Sequence, residues 1–207
     1  MTGSTVVVFA DIVCPFTHVG LTRLFSEREL RGARDIEIEV RAWPLEIVNS
    51  EMLSPTAVAP KIGALRRSVA PDLFTGFDPE VWPSTSLPAL ELTSLAYAKD
   101  VSTGEKVAMA LRRLLFEDGF DVSDEGVLAK VAAEHGIARP SYPSRALGEY
   151  EDGRQRGVKG SPHFFCDGYE EFCPTLSIEK TAEGYDIAYD QERLDEFMDA
   201  VFGAART

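Results

Sequence analysis

Cysteine and histidine are scarce in this chain, with three of each among 207 residues. Three cysteines in a chain this long do not make a disulfide framework, and an odd count leaves at least one thiol free. No Cys/His pair has a recognisable ligand spacing, so no metal site is expected. Positive charge is also short: 21 Lys and Arg face 34 Asp and Glu, and the net charge of −13 repels nucleic acid. The two basic pairs, Arg66-Arg67 and Arg112-Arg113, lie in helical contexts and are expected to face solvent. No apolar run approaches the ~18–20 residues that cross a bilayer, so no membrane partner is expected. The opening Met1–Ala10 lacks the basic and long apolar regions of a secretory signal, and a cytoplasmic location is expected.

What is present is an ordinary apolar fraction, 44%, ample for one large domain or for a small domain carrying an insertion. From Val6 to Trp43 the pattern reads strand, helix, strand. Val6-Val7-Val8-Phe9 is a continuous apolar run, as in a strand covered on both faces. Pro15 suits the first position of a helix, where a missing N–H costs nothing. Leu21, Leu24 and Phe25 follow at helical spacing, and the helix ends near Gly32. Ile36 to Trp43 then alternates as a strand with one polar face, completing a right-handed βαβ unit.

From about Pro55 to Gln155 the signals are helical. Leu90 to Ala98, introduced by Pro88, is one helix. Ser102-Thr103-Gly104-Glu105 reads as a capping box before Val107, Ala110, Leu111, Leu114 and Leu115, with Gly119 closing that helix. Ser123 is the expected cap of a helix ending at Gly136, and Asp72 to Pro88 reads as an ordered loop. Strand signals return at Pro162–Gly168. Phe172 to Ile178 is the expected hairpin partner, with Asp167-Gly168 in the connection. A short strand over Tyr185–Tyr189 precedes a helix capped by Asp190, with Leu194, Phe197, Met198, Val201 and Phe202 on one face.

The chemistry-bearing residue is Cys14, placed where the first strand hands over to the first helix. A thiol there faces the unpaired N–H groups of the first turn, here Phe16 and Thr17, and the positive end of the helix dipole. Both favour the thiolate, the form that attacks sulfur, and the Thr17 hydroxyl is a further candidate donor to it.

Cys14-Pro15-Phe16-Thr17, together with Gly157-Val158-Lys159-Gly160-Ser161-Pro162 opening a later strand, resembles the thioredoxin superfamily. The helical block between the two motifs resembles its DsbA-like branch. That branch includes FrnE-type dithiol oxidoreductases, 2-hydroxychromene-2-carboxylate isomerases and kappa-class glutathione transferases. The resemblance spans nearly the whole chain. It implies an α/β thioredoxin fold, βαβ then ββα, split by an inserted all-helical domain. Residues 1–50 and 156–207 would form the thioredoxin-like domain and 51–155 the insertion, with the active site in the cleft between. It further implies a cis Ser161–Pro162 peptide and a docking edge of Pro15, Phe16, Ser161 and Pro162, where an extended thiol ligand pairs like an added strand.

One departure matters. Dithiol members carry a second cysteine where this chain has Thr17, so a mixed disulfide at Cys14 has no resolving thiol within the motif. The expectation is therefore a monothiol oxidoreductase with Cys14 as nucleophile and Thr17 as its stabiliser. No tightly bound cofactor is expected, and a glutathione- or mycothiol-like thiol is the candidate co-substrate. The partner is a thiol or disulfide substrate, protein or small molecule. Two alternatives stay open: a thiol-dependent isomerase or transferase, with Lys159 the nearest cation for the ligand's carboxylates, and a redox-inactive peptide-binding module. Auxiliary candidates are His18 and His163, each either tuning the site or packing elsewhere. Cys166 and Cys173 could face each other across the hairpin, supply a resolving thiol, or simply pack. His135 is expected to serve only its helix end. Trp43, Pro44 and Trp82 are candidate walls of the site.

Overall fold

Val6, Val8 and Ala10 are fully buried because their strand is an inner one in the computed structural model, which describes residues 4–138, 142–173, 176–182 and 184–203. Strand β1 (Thr5–Ala10) runs into α1 (Pro15–Leu30) and then β2 (Glu37–Ala42). Strands β1 and β2 pair in parallel, with Val6 opposite Ile38 and Val8 opposite Val40. The chain continues through α2 (Leu45–Val48), α3 (Pro55–Ser68), α4 (Leu87–Lys99), α5 (Val101–Phe116), α6 (Glu125–His135) and α7 (Ser144–Arg156). It then returns to the sheet as β3 (His163–Cys166) and β4 (Tyr169–Phe172). Strand β3 pairs antiparallel with the other side of β1, Val8 opposite Phe164, so the order is β2-β1-β3-β4. A separate two-stranded sheet, β5 (Ser177–Thr181) with β6 (Gly184–Ala188), precedes α8 (Gln191–Phe202).

Period-two alternation sorts the sheet's side chains into two cores. On one face Val6, Val8, Ile38, Val40 and Phe164 pack with Leu21 and Leu24 of α1 and with Leu194, Phe197 and Val201 of α8. On the other, Phe9, Trp43 and Phe165 gather with Val158 and the half-buried Tyr150 of α7. Gly153 lets α7 approach this closely: a Cβ there would stand 2.9 Å from both Phe9 and Trp43. A third core joins α3 to α6 and reaches the β1–α1 unit through Ile12, Val13 and Val19. None of the helices among the described residues is long and apolar enough to cross a membrane.

Three local expectations are corrected. Helix α5 is capped by Asp100, which accepts from the Thr103 N–H at 2.7 Å, and not by Ser102. Only Asp100 separates α4 from α5, so its extended backbone ends one helix and begins the next. Glu105 instead receives Arg28 through both oxygens, at 2.5 and 2.8 Å, and the Ile38 N–H. Likewise Asp124 caps α6, while the Ser123 hydroxyl turns to Asp121 at 2.6 Å. In the hairpin, Asp167 and Gly168 both take positive φ (44° and 86°), a two-residue turn that brings β4 in at Tyr169 rather than Phe172.

Candidate functional site

Cys14 is the N-cap residue of α1, with extended backbone (φ −81°, ψ 113°), and Pro15 opens the helix behind it. The thiol is buried, only 3% exposed, and makes no hydrogen bond to the first-turn N–H groups. It donates instead to the carbonyl of Ser161, 3.1 Å away. That carbonyl belongs to a cis Ser161–Pro162 peptide at the entrance to β3. The sequence expectation of an N–H cradle around the sulfur is thereby corrected: the carbonyl is the partner the thiol has. Thr17 is also placed differently. Its hydroxyl, fully buried, lies 2.9 Å from the Ser161 hydroxyl and does not donate to Cys14.

Ser161 is thus the hub. Its hydroxyl accepts the Asp11 N–H at 2.8 Å and meets Thr17, while its carbonyl meets Cys14. Asp11, which sequence reasoning passed over, is wholly buried at the end of β1. Its carboxylate accepts from Val13 N, Leu45 N and the Ser86 hydroxyl, at 3.2, 2.6 and 3.2 Å. Burial pushes the Asp11 carboxyl up to about 6 against the opposing pull of those hydrogen bonds and of Arg112. The one sequence signal was an acid between two apolar runs, Val8–Ala10 and Ile12–Val13.

Arg112 is a further correction. Of the two basic pairs, Arg66, Arg67 and Arg113 are exposed, but Arg112 is completely buried and donates to the Asp11 carbonyl at 3.2 Å. Helical position explains it, since consecutive residues point about 100° apart and Arg112 shares the inward stripe with Ala108 and Leu115.

The remaining candidates divide. Phe16 is half-buried and packs against the helical core. His18 has its Nε2 2.7 Å from Glu117 and its ring between Phe74 and Phe116, with centroids at 5.3 and 5.1 Å. Burial pulls its basicity down despite the carboxylate. His163 is buried beside Phe165, accepting the Lys159 N–H at its Nδ1, and burial lowers it too. The three cysteines are free. Cys166 faces the α1/α8 core and Cys173 the helical core. The register puts Cys166 opposite Tyr169 and Cys173 just past Phe172, at opposite ends of the hairpin. Four residues of strand, about 13 Å, separate them, so of the alternatives left open by the sequence they do not face each other across the hairpin, and each packs into a core. Cys173 does lie near the site, its N–H donating to the Pro162 carbonyl at 3.0 Å. Burial, and secondarily the Cys14 charge, push its thiol up to about 12. Trp43 belongs to the core under the sheet, Pro44 precedes α2, and Trp82 donates to the Leu53 carbonyl within the helical core. Lys159 is exposed and 3.5 Å from Glu170.

Known proteins share this arrangement of elements. The uncharacterized protein YwbO of Bacillus subtilis (strain 168) is 25% identical over 189 residues, covering 87% of this chain and 91% of its own. The solved probable DsbA oxidoreductase of Streptomyces coelicolor matches 99% of this chain and 92% of its own, with a TM-score of 0.64 at 18% identity. The cytosolic disulfide reductase DsbM of Pseudomonas aeruginosa, solved with GSH, matches 81% and 88%, with a TM-score of 0.56 at 14% identity. At such identities the two structures speak for the fold alone. The model of the DSBA-like thioredoxin domain matches residues 5–200, and the chain belongs to that family.

Proposed function

We propose that the protein is a thiol–disulfide oxidoreductase that works with one thiol, Cys14. The observation that carries this reading is the placement of Cys14 at the start of α1, against the carbonyl that precedes Pro162, with Thr17 bonded to Ser161 where a second cysteine would stand. In the first step the Cys14 thiolate attacks one sulfur of a disulfide R–S–S–R′. An S–S bond forms to Cys14, the old one breaks, and R′–S⁻ departs. In the second step a low-molecular-weight thiolate attacks the sulfur of R. The new disulfide leaves, and the electron pair of the broken bond returns to Cys14. Pro15, Phe16, Ser161 and Pro162 form the docking edge, where the substrate takes over the Ser161 carbonyl side that the free thiol holds. The three free cysteines suit a reducing, cytoplasmic setting. GSH in the similarly folded DsbM makes glutathione the probe of choice for the co-substrate.

Reduction of a glutathione mixed disulfide by added glutathione tests this. Cys14→Ser is expected to fall to the uncatalysed rate, while Cys166→Ala and Cys173→Ala keep turnover. Activity that survives Cys14→Ser yet still requires added thiol contradicts the proposal.

A further inference from the structure

Arg112 is the largest fully buried side chain among the described residues. Taking a guanidinium out of water costs several kcal/mol unless partners compensate, so its position calls for a reason. Its direct partners are few. Nη1 donates to the Ala108 carbonyl within α5 at 2.8 Å, Nη2 to the Asp11 carbonyl at 3.2 Å, and Nε has no partner. The Asp11 carboxylate is engaged by Val13, Leu45 and Ser86, so the guanidinium meets it only through space. Geometry ties this cation to the thiol loop: its bond falls on the carbonyl of Asp11, three residues before Cys14, and the Asp11 N–H in turn bonds Ser161, whose carbonyl holds the thiol. Four ionisable groups on three elements interact with it electrostatically. They are Asp11 at the end of β1, Cys14 and His18 on α1, and the Tyr97 hydroxyl of α4, which donates to the Ile38 carbonyl. Cys173 adds a further thiol beside Cys14. Despite burial, Arg112 falls only to about 10 and stays charged at neutral pH.

We propose that Arg112 is a positioning residue of the thiol site: a buried positive charge, delivered by the inserted helices, that serves as counter-ion to the Cys14 thiolate. The proposal rests on Cys14 being the reacting thiol. It supplies what the sulfur's own surroundings lack, since the hydrogen-bond partner of Cys14 is a carbonyl, which suits a neutral thiol and repels a thiolate. Cys14 must bear negative charge twice in the cycle, as attacking nucleophile and as leaving group when a low-molecular-weight thiol releases the substrate. A fixed cation in a low-dielectric interior stabilises both moments, and a better leaving thiolate departs faster. Asp11 shares the same cation, so its carboxylate limits how much of that charge reaches the sulfur.

The test is the pH–rate profile of Cys14 alkylation by neutral iodoacetamide, read peptide by peptide by mass spectrometry. It needs no turnover, so it stands or falls apart from the proposed reaction. Arg112→Met is expected to alkylate at least about tenfold more slowly at pH 7, for loss of a buried positive charge at an effective dielectric near 20. Its profile moves to higher pH and reaches the same rate at the alkaline end. Arg112→Lys, which keeps charge but not the fork, is expected to restore the wild-type profile even where it lowers the melting temperature. If Arg112→Met does not fold by circular dichroism, Arg112→Gln takes its place. A neutral variant with the wild-type profile overturns the proposal. So does an Arg112→Lys profile as displaced as that of the neutral variant, which would mark a purely packing role.

Discussion

Glu117 gathers four hydrogen-bonding groups around one carboxylate beside His18. Its Oε1 meets His18 Nε2 at 2.7 Å and the Phe74 N–H at 2.8 Å, and its Oε2 accepts the Thr75 N–H and hydroxyl at 2.9 and 3.0 Å. Partial burial alone would push this carboxyl up, but the hydrogen bonds outweigh it and hold the group at about 2. Because the folded value lies below the unfolded one of 4.5, the stabilisation is complete above pH 4.5 and is lost as pH falls towards 2. Discounted for solvent screening of a group that is not fully buried, it amounts to about 1–2 kcal/mol. Glu117→Gln should therefore be less stable than wild type by that amount at pH 6, with the two urea-denaturation midpoints converging as pH falls through about 2. A gap undiminished at pH 2 would contradict this. The same residues show why the site was only half legible beforehand. Cys14, Ser161 and Pro162 sit in motifs with readable spacing, and Thr17 stood out as a departure. Asp11, Arg112 and Glu117 acquire their roles from partners brought in by tertiary folding, between 34 and 150 positions away in the chain. A one-dimensional pattern reads such residues as solvent-facing.

At the scale of elements, the helices followed their 3.6-residue stripes, but their starts were displaced. An aspartate lies close to the serine at each misplaced cap, Asp100 two residues before Ser102 and Asp124 one residue after Ser123, and the capping-box spacing fitted Ser102 and Glu105 as well. What decides is the backbone. Asp100 is extended (φ −169°), while Ser102 already lies within the helix. Asp100→Ala should cost about 1 kcal/mol of stability, while Ser102→Ala should leave the unfolding free energy within about half a kcal/mol of wild type. The reverse order would restore the serine cap. Strand β4 was misread for a different reason. An edge strand with Tyr169 and Glu171 half-buried and Glu170 and Phe172 exposed shows little hydrophobic alternation. Its turn residues, Asp167 and Gly168, were the better guide to where it begins.

At the scale of the whole molecule, the order of elements was readable because each carries its own periodicity, and a parallel pair split from an antiparallel one by a helical run leaves few topologies. Less legible was how the inserted helices bear on the thiol. Helix α5 lays Gly104 against the Tyr97 ring and carries Arg112 to the Asp11 carbonyl, so the inserted helices reach the loop that leads to Cys14. The central claim, that a single thiol does the chemistry, has a direct measurement. The protein is treated with oxidised glutathione, then mapped by intact mass and by non-reducing peptide mass spectrometry. The account predicts one glutathionyl group per chain, attached to Cys14, with Cys166 and Cys173 still reduced. Cys14 joined to Cys173 or Cys166 in an internal disulfide, or a chain left unmodified at Cys14, would contradict it.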